Sequence, residues 1–384
     1  MKHDQALYSY FPFQVRKTKG IWVYGSDGNK YLDSFSGIGV SLLGHQHPGI
    51  HQAMRKKMRT YLHLSNFFQD NDLDDCVNQL SELSGLHGQV LFTNSGAEAN
   101  EWALKIVKKT FSGQPLTILH FDKSFHGRTT GTLSLNGNPT QRSSFEPLLE
   151  NTVQLPWNDE QNFDNWMEKN GPQTGALFLE FIQGSGGVRV LSEGMNQRIQ
   201  FWQSKYHFLI IADEIQTGLG RTGSVFAFQR YGIIPDILTL GKGLGGGLPL
   251  GAVVINPSLS SSIKPGDHGS TMAPNPIALA GCRVVLSAVP SLTERVKRQQ
   301  PMVWSMLKKH LYKVVKEIRG TGYMIGIDVG IPLPTLVKKA CAEHQFLINV
   351  VQGQVIRLLP PLNISMKDWQ RIVLTLRKLL EGVS

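Results

Sequence analysis

Residues 208–251, FLIIADEIQTGLGRTGSVFAFQRYGIIPDILTLGKGLGGGLPLG, hold two short apolar runs separated by a polar, glycine-containing segment. FLIIA (208–212) and DILTL (236–240) are long enough for buried strands and too short for helices. The first run ends in Asp213, and the second is followed, after Gly241, by Lys242. As parallel strands of an open α/β sheet, both would present their carboxyl ends on the edge where such sheets bind ligands. A carboxylate and a lysine would then face one crevice.

The chemistry open to such a pair is specific. A lysine acting as an amine must lose its proton, and a partly buried crevice lowers its pKa. Neutral lysine condenses with an aldehyde to form a Schiff base. A carboxylate in the same site would hold a pyridine nitrogen protonated, the condition under which pyridoxal phosphate (PLP) acts as an electron sink. Gly241, Gly243, Gly245, Gly246 and Gly247 surround the lysine and are expected to leave room for a flat cofactor. Taken alone, the pair equally suits a solvated lysine in a glycine-rich turn and an aspartate at a strand end.

Outward from this stretch, strands and helices alternate, which indicates a mostly parallel sheet. QVLFT (89–93) precedes NSGAEANEWALKIVKK (94–109). Ser95 with Glu98 makes a capping box, and Ala99, Trp102, Ala103, Ile106 and Val107 fall on one helical face. A helix start just beyond a strand, with Gly96 allowing close approach, suits a phosphate; a capped helix without a ligand has the same pattern. TILHFDKSFHGRT (117–129) is a strand running into a loop with Phe125, His126 and Arg128. An aromatic can cover a ring and an arginine can hold a carboxylate, although a packed aromatic beside a surface arginine reads identically. LFLEFIQGSGG (177–187) is a further strand, ending at Glu180, and a helix is expected over 193–205. An N-terminal hairpin is expected from IWVYG (21–25) and KYLDSF (30–35) around a turn at 26–29. After Gly251 the texture changes to helical patterns over 277–289, 303–318 and 367–380 with short strands between, a smaller α+β unit beside which the hairpin would pack.

Composition narrows the function classes. With 384 residues, 41% hydrophobic and 18% charged, the chain reads as an ordinary globular protein of two domains. MKHDQALYSY carries no secretory pattern, and no run approaches bilayer-spanning length. Three scattered cysteines fit reduced thiols in a cytoplasm. The net charge of +10 raises nucleic acid as a partner, but the basic residues form short helical clusters and no nucleic-acid motif is present. Anionic small substrates account for the balance as well. His47 and His51 have i,i+4 spacing without the acidic partner of a zinc helix, so a helix start at Pro48 is expected rather than a metal site. Gly218, Gly220 and Gly223 match GxGxxG but lack a strand directly before and a helix directly after. Gly243 follows Lys242 where a phosphate-binding P-loop needs Ser or Thr.

Taken together, YLDSFSGIGVSLLGHQHP, NSGAEANEWALK, SFHGRT, ADEIQTGLGRTG, TLGKGLGGGLPLGA, GDHGSTMAPNP and RLLPPL resemble, in order, the class III PLP-dependent aminotransferases. The resemblance runs from about Tyr8 to Leu380 and is strongest to the acetylornithine branch. It implies a transferase of fold type I: a large domain with a mostly parallel sheet (51–255), a smaller C-terminal α+β domain (256–384), and an N-terminal segment (1–50) packing with the latter. It further implies that Lys242 carries the cofactor and moves a proton, and that Asp213 pairs with the pyridinium nitrogen. Gln216 would meet the ring hydroxyl, with Ile215 and Phe125 on the two ring faces and His126 nearby. Ser95, Gly96 and Ala97 would hold the phosphate, reached across a homodimer interface by the loop of Ser270 and Thr271. Arg128 would bind one substrate carboxylate and Arg357 a second. Two positions depart from the family: Ser185 stands where QGEGG or QGEAG carries glutamate, and Met272-Ala273-Pro274 replaces an aromatic-Gly-Gly.

The implied reaction moves the terminal amine of N2-acetylornithine to 2-oxoglutarate, a step of arginine biosynthesis in the cytoplasm, with neither nucleic acid nor membrane as partner. Other ω-amino donors (ornithine, 4-aminobutyrate, succinylornithine, a lysine-pathway amine) and a PLP aminomutase are the alternatives.

Overall fold

A computed structural model of the chain describes residues 9–382 except Gly113 and Pro115. Tyr8, where the family resemblance begins, and most of the N-terminal MKHDQALYSY stretch lie outside the described residues. The strands β1 (Val15–Lys19), β2 (Trp22–Gly25) and β3 (Lys30–Asp33) form an antiparallel meander. The turn between β2 and β3 is closed by Asp27, whose carboxylate accepts bonds from Asn29 and Tyr31. β1 was not expected: VRKTK is a largely exposed, basic edge without an apolar run to announce it. A one-turn segment α1 (Ser36–Gly39) and the helices α2 (Pro48–Met58) and α3 (Asn71–Ser84) follow. The His47 ring caps α2 by accepting from the Ile50 amide at 3.4 Å, with Pro48 in the first turn.

The chain then builds β4 (Gln89–Thr93), α4 (Gly96–Thr110), β5 (Thr117–Phe121), the short α5 (Thr130–Leu133) and α6 (Pro139–Arg142), and β6 (Thr152–Leu155). Next come α7 (Glu160–Asn170), β7 (Thr174–Leu179), and a small hairpin of β8 (Ile182–Gln183) and β9 (Arg189–Val190) whose turn holds Ser185. α8 (Glu193–Tyr206), β10 (Leu209–Asp213), β11 (Ile237–Leu240) and β12 (Gly251–Ile255) complete the region. Seven of these strands form one sheet in the order β4-β12-β11-β10-β7-β5-β6. Only β12 opposes its neighbours; the pairs β11–β10–β7–β5–β6 are all parallel. Strands β7, β10, β11 and β12 are buried along their whole length, so their sequences run apolar without alternating. Alternate residues still sort to opposite faces. Ile118, Phe178, Ile211 and Val253 pack with the apolar stripe of α4, while Leu119, Leu177, Ile210 and Leu238 enter the main core.

The remainder is α9 (Pro276–Leu311), β13 (Glu317–Thr321), β14 (Met324–Asp328), α10 (Leu336–His344), β15 (Phe346–Leu347), β16 (Asn349–Val351), β17 (Val355–Leu358) and α11 (Met366–Glu381). β13-β14-β17-β16 form an antiparallel sheet. β15 pairs in parallel with β3 and so ties the N-terminal meander to this region.

Two expectations are corrected here. The helical patterns over 277–289 and 303–318 belong to one helix of 36 residues that runs through Pro290 and Pro301 and stops at Leu311. Each proline removes a backbone bond, but buried residues on both sides (Val285, Leu286 and Val289 before, Val303 and Leu307 after) hold the helix together by packing. Ile318 pairs with Ile327 in the β13–β14 ladder instead. That same helix is long and apolar enough to cross a bilayer, contrary to the sequence reading, yet most of its apolar window is buried in the protein. It packs against α2, α3 and α11 as a core helix does.

Candidate active site

β10 and β11 are adjacent parallel strands, with Asp213 opposite Thr239, so Asp213 and Lys242 emerge on the same edge of the sheet. Lys242 has φ 45°, in the left-handed region that a side-chain-bearing residue occupies at a cost of roughly 1–3 kcal/mol. Gly241 just before it lies tight against the chain: a Cβ there would sit 3.1 Å from Gly96 Cα. A Cβ on Gly243 would strike Leu42 at 2.3 Å. These two glycines therefore serve close packing of chain on chain beside the lysine. Gly247, by contrast, lines the cavity.

That cavity measures about 510 Å³. The start of α4 supplies Ser95, Gly96 and Ala97, the loop after β5 supplies Phe125, His126 and Arg128, and the central strands supply Asp213, Ile215, Gln216 and Lys242. Glu180, Ser185 and, from the N-terminal segment, Val40 complete much of the wall. Ser95 Oγ accepts from the Glu98 amide at 3.2 Å, a cap worth about 1 kcal/mol. The Glu98 carboxylate returns to the amide and side chain of Asn94 (2.7 and 3.0 Å), one residue before the position a capping box predicts. Among the described residues nothing accepts from the Gly96 and Ala97 amides, which are left for an anion. A Cβ on Gly96 would fall 2.6 Å from Ile215 Cδ1, so glycine is needed where α4 meets the residue that flanks the cavity.

Asp213 is buried and held from three sides. Oδ2 accepts from Asn100 Nδ2 at 2.8 Å and from His126 Nδ1 at 2.7 Å, and Oδ1 from the Ile215 amide at 3.1 Å. An ionised carboxylate only accepts, so Nδ1 carries the proton. Burial by itself would lower the His126 pKa; the bond and charge of Asp213 outweigh it and raise the pKa. Among the described residues His126 Nε2 has no partner. Asn100 was missed in the sequence, although a polar residue one turn after Gly96, inside the apolar stripe of α4, was the available signal. Asn136 holds the neighbouring loop, accepting from the His126 amide at 2.7 Å and donating to Gly127 O at 2.8 Å. Glu180 accepts from the Phe125 amide at 3.0 Å, and burial pushes its pKa up to about 7. The Arg128 guanidinium lies 5.8 Å from the Phe125 ring centroid and is exposed at the cavity wall.

Lys242 is partly exposed, to the cavity it lines, and its Nζ has no hydrogen-bond or ion-pair partner among the described residues. Desolvation lowers its pKa to about 8 against the opposing pull of Asp213. A readily neutralised amine, an anchored carboxylate and two unspent helix-start amides fit PLP: one group each for the aldehyde, the ring nitrogen and the phosphate.

Three expected residues sit elsewhere. Arg357 on β17 does not line the cavity but stands behind Gln216, whose Oε1 accepts from Arg357 Nη1 at 3.0 Å. The Gln216 oxygen, expected on the ring hydroxyl, is thus engaged by the arginine. Ser270 and Thr271 are also outside this cavity. Ser270 is held by Asn94 Nδ2 on Oγ and Asn66 Nδ2 on its carbonyl, both at 3.0 Å, and lines a separate cavity of about 680 Å³.

The fold and the site are those of a PLP enzyme of fold type I. The family model for class-III aminotransferases matches residues 5–380. The acetylornithine aminotransferase of Caldanaerobacter subterraneus subsp. tengcongensis is 37% identical over 377 residues, covering 96% of this chain and 94% of that protein. A Toxoplasma gondii ornithine aminotransferase structure, described with PLP at its active site, superposes with a TM-score of 0.92 at 29% identity over 100% of this chain and 92% of that one. The N-acetylornithine aminotransferase of Stenotrophomonas maltophilia superposes with a TM-score of 0.81 at 27% identity, covering 97% of this chain and 96% of that one. The chain belongs to the class-III aminotransferases and is a PLP-dependent enzyme that takes an amino donor and a keto acid.

Proposed function

We propose that the enzyme moves the terminal amine of N2-acetyl-L-ornithine to 2-oxoglutarate in a ping-pong sequence, giving N-acetyl-L-glutamate 5-semialdehyde and L-glutamate in arginine biosynthesis. The single observation that carries the site is the unpartnered Lys242 Nζ in a cavity shared with the anchored Asp213. The acetylornithine aminotransferase name of relatives aligned over nearly the whole chain supports the donor.

PLP, when bound, supplies an aldehyde that exchanges for the donor's amine and a ring that accepts electrons. Lys242 Nζ, poised near neutrality, is the base that takes a proton from the substrate carbon and the acid that returns it. Asp213, anchored by Asn100 and His126, would pair with the protonated ring nitrogen. The Gly96 and Ala97 amides would hold the phosphate, and Ile215 and Phe125, which line the cavity, would cover the ring and limit water. Arg128 binds the donor's carboxylate, and Arg357, through displacement of Gln216, the second carboxylate of 2-oxoglutarate. Ser270 and Thr271 complete the phosphate site of a second copy in a cytoplasmic homodimer.

A panel of amine donors with and without the acetyl group, assayed against 2-oxoglutarate, tests the assignment. Glutamate release should be fastest with N2-acetylornithine. Faster turnover of free ornithine would favour the second reading, which the similarity to ornithine aminotransferase structures keeps open. Product formation without any keto acid would point to a mutase and overturn both.

A further inference from the structure

β16 and β17 run antiparallel, and Asn349 is the register partner of Arg357. Residues directly opposite in such a pair lie on one face and touch. Asn349 Oδ1 accepts from Arg357 Nε at 3.0 Å and from Nη2 at 2.7 Å, while Nη1 donates to Gln216 Oε1 at 3.0 Å. Gln216 in turn lines the cavity. A Cβ on Gly184 would fall 1.9 Å from Gln216 Oε1, so that glycine leaves the amide its place.

Both acceptors on the guanidinium are neutral. Among the described residues no carboxylate forms an ion pair with Arg357; Glu180, on the cavity wall, acts on it only at longer range. Arg357 is only 3% exposed, so water does not offset its charge. Burial brings its pKa down to about 10, which leaves it protonated at neutral pH. Its three guanidinium nitrogens all find acceptors, but those amide oxygens satisfy its hydrogen bonds without balancing its charge, which a bidentate carboxylate would do.

We propose that Asn349 is a specificity-determining positioning residue, a neutral acceptor that aims Arg357 at the cavity through Gln216 and leaves it without a direct ion pair, ready for a dicarboxylic 2-oxo acid. This rests on the reading of Arg357 as the binder of that acid's second carboxylate. The incoming carboxylate takes Nη1 from the Gln216 oxygen, and the two Asn349 bonds hold the guanidinium in plane. An aspartate at 349 would satisfy the same two donors in nearly the same shape, but would pair the charge before the substrate arrives.

Asn349→Asp therefore separates charge from support. Binding of glutarate, a non-reacting five-carbon dicarboxylate, to the holoenzyme is measured by calorimetry, beside KM for 2-oxoglutarate and for the amine donor. The expected result is at least about tenfold weaker glutarate binding and a matching rise in KM for 2-oxoglutarate, with a far smaller change in the donor's KM. If Asn349 only braced the arginine, the carboxylate would brace it better, and unchanged or tighter glutarate binding overturns the proposal. Arg357→Ala, measured alongside, tells the two failures apart. Unchanged glutarate affinity there removes the reading of Arg357 itself; a loss there but none in Asn349→Asp removes only the role of Asn349. Should the aspartate variant not fold, Asn349→Ala serves in the same calorimetry, and glutarate affinity equal to that of the unaltered enzyme overturns the proposal.

Discussion

At the scale of single residues, the chemistry depends on how little the surroundings of Lys242 stabilise its charge. An ordinary lysine is almost wholly protonated at neutral pH; this one is brought down to about 8 by burial, even with Asp213 pulling the other way. The neutral amine is the form that adds to an aldehyde. Uptake of PLP by the apoenzyme is thus expected to accelerate with rising pH, reach half its maximum near pH 8 and level off above about pH 9, running roughly a hundredfold slower at pH 6 than on the plateau. Absorbance of the bound cofactor, with borohydride trapping and mass analysis of the Lys242 peptide, reads the rate. A midpoint only near pH 10 would mean the lysine is solvated, and trapping that survives Lys242→Ala would place the cofactor on another amine.

The elements around the site carry a buried carboxylate that the reaction does not use. Glu214 follows β10 and accepts from the Phe228 amide at 2.8 Å and from the Thr217 hydroxyl, tying the strand end to the segment that follows. Burial lifts its pKa to about 7. Because the folded value lies above that of the unfolded chain, its contribution to stability is full below about pH 4.5 and is lost as pH rises through 7. Glu214→Gln keeps the Phe228 amide contact through its oxygen, turns the Thr217 contact round so that the side-chain amide donates to the hydroxyl, and has no proton to lose. The melting advantage of the variant over the parent should therefore grow between pH 5 and pH 8, reaching on the order of 3 kcal/mol. A gap independent of pH would show that Glu214 ionises freely in the folded state. At this same scale the strands FLIIA and DILTL, the Ser95 cap and the closing helix α11 are legible, since each depends on local pattern. β1 and the run of α9 through two prolines are not, because packing against distant residues supports them.

For the whole molecule, an apolar surface surrounds the loop of Ser270 and Thr271. Leu62, Leu64, Phe67, Phe68 and Met272 are all exposed, Phe67 to 95%. Leu64 and Phe68 line the same cavity as Ser270. Clustered exposed aromatics of this kind mark an interaction face, and a second copy placed there is the proposed occupant. Sedimentation should find a dimer, and Phe67→Asp with Phe68→Asp should shift it toward monomer and weaken PLP affinity by about tenfold or more. A monomeric double variant with undiminished affinity would show that each site is complete within one chain.

The order and character of the strands, the cap that opens α4, and the pairing of a strand-end carboxylate with a lysine on the next strand are all written locally. Apolar runs, caps and glycines act over a few residues, and so the linear sequence by itself determined them. Only the tertiary structure decided that Asn100 and His126 share the Asp213 carboxylate, that Arg357 stands behind Gln216, and that Asn349 holds it there. Those contacts join residues 8 to 141 positions apart, and their geometry is set by how helix, loop and sheet pack together. Close approach between remote segments depends on excluded volume and shared burial, which no short stretch of sequence encodes.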